Sequence, residues 1–572
     1  MKDQKSTRLK NIGRMLVVYL GGAWVFIEAF NFLIDKYGWD TAVLDVIILT
    51  IIFGLPASII YAWFNRKFTR GAIILLVING IIAISVITVN LIRPDTMDPT
   101  QLQILKSRDN QKELAESVRA LAILPFNNYT NNEDQAYLVS GLHDALISEM
   151  GQVGALRVIS KTSSSLYADA DKSLKEIAAE LKVDAIIEGA VMGDENGIKI
   201  QLKLISAFPE EQQLWSKSYD IELENILNLY SDVLKSIAGE INITLSPQEQ
   251  IRLDQSRSVN SEAYDIYLKG RFNLAFLTPE GIKMAEEYFL KAIEIDPQFA
   301  PAYGGLAGIW VSLKQLNLIP PELADPKVDE YLNKAFDLDS NNAEVWRWYA
   351  SKLGNTDFNW KDCNMAMEKC LSLNSNFAEA RAFYAHFLMI QNRWDDAWEQ
   401  MNLALDLDPL NPLIQGFFGV LLMHNARYDE FFSLFEQLEN SGLGHIGLFI
   451  VLSQTDQYDR AIVQLKKIIT AGKHENVIAV LDETYKTTNY TTALKVTADA
   501  LAEISDTTFV SPSLILQLYA MAGDKENTMY WIERLYIRRD PNLPYWAVIG
   551  PLTETYQDEP RYIEIMKRIN LR

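Results

Sequence analysis

The chain has 572 residues, a net charge of −21, two cysteines and 49 % apolar residues. That length calls for several domains, and two cysteines exclude a disulfide scaffold. Residues 1–94 hold ten Lys or Arg against five Asp or Glu, which leaves a net −26 on the rest. Such an acidic body excludes nucleic acid as the partner, because DNA and RNA are bound by basic surface that displaces counterions.

Three apolar stretches come first, over 15–34, 43–64 and 72–92. Each is about the 20 residues that cross a bilayer as a helix, the one element that satisfies its own backbone in lipid. Lys2, Lys5, Arg8, Lys10 and Arg14 precede the first stretch, and Arg66, Lys67 and Arg70 lie between the second and third. The loop 35–42 holds only Lys36 against Asp35 and Asp40. The positive-inside rule then puts the amino terminus in the cytoplasm and the residues after 93 outside it. Glu28 inside the first stretch is costly in lipid, so it either lies in the outer third and reaches the interface or pairs within the bundle, or it is a candidate intramembrane contact with another membrane protein, with Asn79 or Asn90. Pro56 implies a local kink in the second.

Residues 94–118 are polar and read as a stalk, helical or flexible over 100–117. Then ALAILPF, 120–126, reads as a buried strand ending at a proline, with a polar loop over 127–134. Residues 137–150 carry helical periodicity, with Leu138, Leu142, Ile147 and Met150 as core positions. A strand over 156–160, an amphipathic helix over 173–181, a hairpin of 185–191 with 199–205, a strand over 214–219 and a helix over 226–243 complete a mixed α/β sandwich over 119–245. The run Ala122-Ile-Leu-Pro-Phe-Asn-Asn128, Tyr137 with Gly141-Leu142, Leu156 to Ser163, Val183 to Gly189, Ile200 to Ile205 and Leu214 to Asp220 resembles the TolB amino-terminal-like (FlgO-type) domain. The resemblance covers about 125 residues in order. It implies a non-catalytic extracytoplasmic domain, often followed by tetratricopeptide repeats. In relatives this assembly sits behind a cyclase catalytic domain or a winged-helix DNA-binding domain. Only about 14 residues precede the first stretch here, so neither label is expected.

From 246 to the end the chain reads as a helical repeat array with a cap. Asp296, Asp339, Asn374 and Asp408 mark equivalent turns, spaced 43, 35 and 34 residues, and 34 is the tetratricopeptide period. The long interval carries a proline-rich insertion, 318–327. Ala285 and Ala292, Ala397 and Ala404, and Cys363 and Cys370 fill the small-residue positions of second helices, so the cysteines are expected to pack as alanine substitutes. The overall class is multidomain: an α-helical membrane anchor (1–93), a stalk (94–118), a small α/β sandwich (119–245) and an all-α superhelix (246–572) of about eight helix pairs.

Arrays of this kind bind protein partners in a concave groove lined by first helices. Tyr303, Trp310, Trp346, Tyr349, Phe383 and Tyr384 are the candidate partner-binding aromatics, with Trp348 beside them, and most are expected in inter-helix packing. Phosphate-binding glycine loops, HExxH and GxSxG are absent, and His143, His386, His424, His445 and His474 stand one at a time. Thr162 to Ser165 reads as a strand-to-loop turn without a neighbouring base. The sequence therefore points to no catalytic, cofactor or metal residues. It reads as a non-enzymatic scaffold, or as a signalling subunit relaying periplasmic binding to a separate cytoplasmic regulator or enzyme.

Overall fold

The computed structural model describes residues 2–37, 42–64, 69–92, 112–130, 135–194, 197–254, 258–275, 278–316, 318–438, 444–548 and 555–572. The chain divides into two units, Met1–Asn110 and Gln111–Arg572.

The first unit holds three helices, Lys2–Tyr37, Ala42–Trp63 and Arg70–Ile92. By length and composition each contains a stretch able to cross a membrane, Ile12–Phe30, Val46–Trp63 and Arg70–Thr88. Two polar side chains inside them bond helix to helix. The Tyr19 hydroxyl donates to the Ile51 carbonyl at 2.6 Å, and Asn79 Nδ2 donates to the Phe53 carbonyl at 2.8 Å. Asn79 is thus spent on the second helix, whose backbone near Pro56 it supports, and does not meet Glu28. Asn90's side chain lies outside the described residues.

In the second unit the sheet is mixed. Its strands are β1 (Ala120–Ile123), β2 (Asn127–Tyr129), β3 (Arg157–Val158), β4 (Ala185–Asp194), β5 (Gly197–Ser206) and β6 (Gln212–Ile221). The order is β3-β1-β4-β5-β6, with β2 also on β4; β1 pairs parallel with β3 and β4, and β4, β5 and β6 run antiparallel. The apolar run of β1 is explained by burial on both faces. Leu121 and Ile123 enter a core with helices Ala136–Met150 and Ile226–Glu240, while Ala120 and Ala122 meet helix Leu174–Leu181 on the other side. Asp184 Oδ2 accepts from the Arg119 and Ala120 amides at 2.9 Å each and fixes the start of β1. Gly189 leaves room for the Phe126 ring, which stands edge-on to His143; a Cβ there would lie 2.2 Å from the ring.

Three expectations need correction. Residues 127–129 are a strand, because the chain after Pro125 returns parallel to β4 and pairs there with Ala190 to Met192; residues 131–134 lie outside the described residues. The end of the stalk belongs to the fold, because Ala115 and Val118 are 2 % and 0 % exposed in the sheet's core; residues 94–111 lie outside the described residues. Thr162 to Ser165 form one helical turn, Lys161–Ser165, instead of an open turn.

From Ser261 the described residues hold eight helix pairs, beginning with Ser261–Leu274 and Pro279–Ile295 and ending with Pro512–Ala522 and Lys525–Ile537. First helices of successive pairs pack on one another from Ser261 to Gln454 and so form the inner wall. Ala285, Ala292, Cys363, Cys370, Ala397 and Ala404 are all fully buried, where small side chains let the helices of a pair approach. Both thiols are free, and burial pushes that of Cys370 up to about 12. The insertion after 318 is a helix extension, Pro321–Leu338, with Pro321 at its first turn, where a missing N–H costs nothing.

The α/β domain and the repeats share one apolar cluster that runs from Ala115 to Val345. Leu268 of the first repeat helix lies against Gly141, where a Cβ would stand 2.8 Å from its Cδ2. Repeat turns then grip the sheet edge. Asn376 donates to the Gly151 and Leu156 carbonyls at 2.9 and 2.8 Å and accepts from the Val158 amide at 3.0 Å. Asp408 Oδ1 accepts from the Ser163 hydroxyl at 2.5 Å and its amide at 2.9 Å, and Ser163 Oγ accepts from the Leu410 amide at 2.9 Å.

Ser163 and Asp408 are fully buried. Ser163→Ala therefore leaves the Leu410 amide and one carboxylate lone pair unpaired, and should cost about 1–3 kcal/mol in the urea unfolding of this unit followed by tryptophan fluorescence. The pH dependence has two opposed parts. Burial raises Asp540 from 3.8 to about 6, so its contribution is present in acid and is lost as pH rises through 6. Burial also disfavours the Asp144 carboxylate, but Arg271 and Lys161 beside it prevail and hold it at about 2, a contribution lost as pH falls from about 4 through 2. Asp540→Asn should raise the urea midpoint at pH 7 relative to that at pH 4, compared with the parent chain.

Candidate concave protein-binding face

The first helices present their apolar sides inward because each must pack on two neighbours, and this places aromatic residues along the inner wall. Trp310 Nε1 donates to Glu286 Oε1 at 3.1 Å, and the Tyr303 hydroxyl to the Pro297 carbonyl at 3.4 Å. Trp346 Nε1 donates to the Ser340 carbonyl at 2.8 Å, and its ring stands 4.9 Å from Phe336, which also meets Tyr349 at 5.4 Å. The Tyr384 hydroxyl donates to Glu368 Oε1 at 3.4 Å. Five of the six candidate aromatics are thereby tied to the preceding second helix or its following turn. Phe383 differs, since it faces Phe417 of the next first helix at 4.9 Å.

Around Phe383 the structure gathers residues that the sequence did not single out as a group. The Arg347 guanidinium lies 3.7 Å from the Trp348 ring and 4.1 Å from the Phe383 ring, with Nη2 4.0 Å from Glu379. His386 stacks on Phe417 at 4.1 Å. A carbonyl only accepts, so His386 Nε2–H donates to the Phe417 oxygen at 3.1 Å, which leaves Nδ1 to accept from the Tyr545 hydroxyl at 3.1 Å. Burial lowers His386 to about 4, so the ring is neutral at pH 7. The Tyr545 contact joins residues 159 apart, a separation that no local pattern signals.

The last described segments close the solenoid. Leu543–Ala547 lies against helix Ala378–Ile390. Trp360 Nε1 donates to the Ile569 carbonyl at 2.7 Å, and Asn570 Nδ2 to the Phe358 carbonyl at 3.0 Å. A cavity of about 330 Å³ lies where Pro320 to Glu322 meet Thr507 to Val510, Arg538 and Asp540. A second hollow, about 200 Å³, runs between helices Pro412–His424 and His445–Gln454 and is lined by apolar residues and two glycines.

Among the described residues, no group of three or more His, Cys, Asp or Glu could hold a metal ion. Burial lowers His143 to about 4 as well, and its Nε2 donates to the Ile123 carbonyl at 2.8 Å, a packing role. Glu28 is exposed on the helix Lys2–Tyr37, with no hydrogen bond or ion pair among the described residues.

The model of the second domain of HilA/YgeH-like transcriptional regulators matches residues 117–237, which is the α/β domain with its entry and its last helix. "Putative adenylate cyclase 3" of Rhizobium meliloti is 28 % identical over 188 residues, 33 % of this chain and 32 % of that protein. Transcriptional regulator HilA of Salmonella typhimurium is 23 % identical over 301 residues, 51 % of each chain. The alignments thus span about a third and about a half of these two relatives. Among solved structures, PilF of Pseudomonas aeruginosa aligns over 38 % of this chain and 96 % of its own at 19 % identity and a TM-score of 0.28. The Cut9–Hcn1 assembly of the APC/C aligns over 98 % and 95 % at 13 % identity and a TM-score of 0.33. The α/β domain of this chain is therefore similar to the HilA-like regulator domain, and it is joined to a helical repeat solenoid.

Proposed function

We propose that this chain is a non-enzymatic scaffold, anchored in a bacterial inner membrane by residues 1–93, that binds protein partners on the periplasmic side through the concave face of its repeats. Residues 119–245 form the α/β domain of this scheme and 246–572 the array. The observation that carries the reading is the inner wall itself: first helices stacked side by side, apolar between repeats five and six, and braced against a sheet that immobilises the turns around Asn376 and Asp408. A surface held so firmly loses little freedom on docking, which favours binding. The side of the membrane is read from the basic residues within 2–14 and 66–70.

A second reading, a sensory subunit that relays periplasmic binding to a separate cytoplasmic regulator or enzyme, is favoured by the names of the relatives, a transcriptional regulator and a cyclase. Both proteins carry this segment beside further sequence. Glu28 is a candidate contact in either reading, because a carboxyl facing lipid needs a donor.

Alkaline phosphatase fused after Arg572 should be active in whole cells; activity of a cytoplasmic reporter alone at that point would reverse the topology. Crosslinking in intact membranes should retain a defined partner on the parent chain. Glu28→Gln should lower that retention several-fold if the partner is membrane-embedded, as read by quantitative mass spectrometry of the crosslinked complex.

A further inference from the structure

The hollow between the fifth and sixth repeats differs from the rest of the inner wall. On the preceding first helices aromatic residues fill the space, and Tyr303, Trp310, Trp346 and Tyr384 bond to the preceding repeat. Here one wall is Gly416, Phe417 and Val420, the other Ile446 and Ile450, and Phe435 lies at the floor. A Cβ on Gly416 would meet no atom within 4 Å, so the space above it is open. Ile446 is 54 % exposed at the rim, a large apolar side chain turned outward and uncovered among the described residues. The trough is thus a site for large apolar side chains from outside.

Two observations say what covers it. The first is the occupant of the neighbouring stretch of the same wall. There the helical turn Leu543–Ala547 sends Tyr545 to His386, which stacks on Phe417, a residue that also lines the trough. The wall therefore already accepts a short helical segment bearing aromatic residues, one step away. The second is charge. Residues 95–572 carry a net −26, so a docking segment gains from Lys and Arg on the side that it keeps in solvent.

We propose that this trough docks an amphipathic helix of a protein partner, with large apolar or aromatic side chains on one face and basic residues on the other. The inference rests on the scaffold reading and names its site. Spacing of i, i+3, i+4 and i+7 on the partner places the anchors along the groove.

The test uses the full chain in detergent micelles and three labelled synthetic helices, with binding to empty micelles subtracted. One carries Leu and Phe anchors with Lys elsewhere, one the same anchors with Glu, and one Lys with Ala in place of the anchors. The first should bind, weakening with salt, and the other two at least about tenfold more weakly. Gly416→Leu places a side chain where a Cβ meets no atom within 4 Å, and Ile446→Asp alters an exposed side chain. Each should weaken the first helix about tenfold, with an unchanged near-ultraviolet circular dichroism spectrum. Equal binding by parent and variants, or no preference among the helices, overturns the proposal. A parent dimer that Gly416→Leu renders monomeric in sedimentation also overturns it and assigns the trough to a second copy. A crosslinked membrane partner kept equally by Gly416→Leu removes the trough and leaves the scaffold standing. No crosslinked partner on the parent chain removes both.

Discussion

The second unit depends on one apolar core that ignores the boundary between sheet and solenoid. A helical repeat buries its faces only against neighbours, so the first repeat of an array needs a cap. Here the cap is the α/β domain: helix Ala136–Met150 lies where a preceding repeat would, and Leu268 seats against Gly141. The close approach requires glycine at 141, and it lets Tyr264, Phe289 and Phe299 join Leu121, Ile123 and Leu142 in a single cluster. Without this contact the array would present an apolar end, and the sheet would lose cover on one face.

Polar groups refine what the core assembles. Asn374 and Asp408 occupy equivalent positions after second helices and recur with the repeat period, and Asn376 lies two residues beyond the first of them. In most repeats such a residue serves its own turn, as Asp296 Oδ1 does by accepting from the Gln298 amide at 3.0 Å. In two successive repeats the turn also reaches across to the α/β domain, through Asn376, two residues beyond the repeat position, in one and through Asp408 itself in the next. Burial penalises the Asp408 carboxylate, and donors from Ser163 and Asn411 offset part of that penalty. The periodic turn thus becomes a clamp whose register follows from repeat geometry.

Much of this was legible in the sequence. The helix pairs, the small residues of their contacts and the order of strands and helices in the sandwich all follow from local periodicity and turn residues. The strand at 127–129 was not, because its three residues are exposed and polar and only its pairing to β4 defines it. Nor was the role of Ser163, since its partner lies 245 residues away. Of the aromatic candidates, sequence marks the helix but not the face. Trp346 and Tyr349 are used up by Phe336, whereas Phe417, which meets Phe383 and His386, was not singled out. Glycine at 416 is the clearest signal of open space on that wall, and it became readable only once the two flanking helices were in place.

Closure through Trp360, Ile569 and Asn570 changes how the solenoid should come apart. An open solenoid melts from its ends, because each repeat answers only to its neighbours. Joining a late segment to the third repeat converts that linear chain of couplings into a loop, with no frayed terminus to start from. Such a loop lends the distal, divergent pairs the cooperativity of the regular ones, at the expense of slower folding, since distant parts of the polypeptide must meet before it is complete.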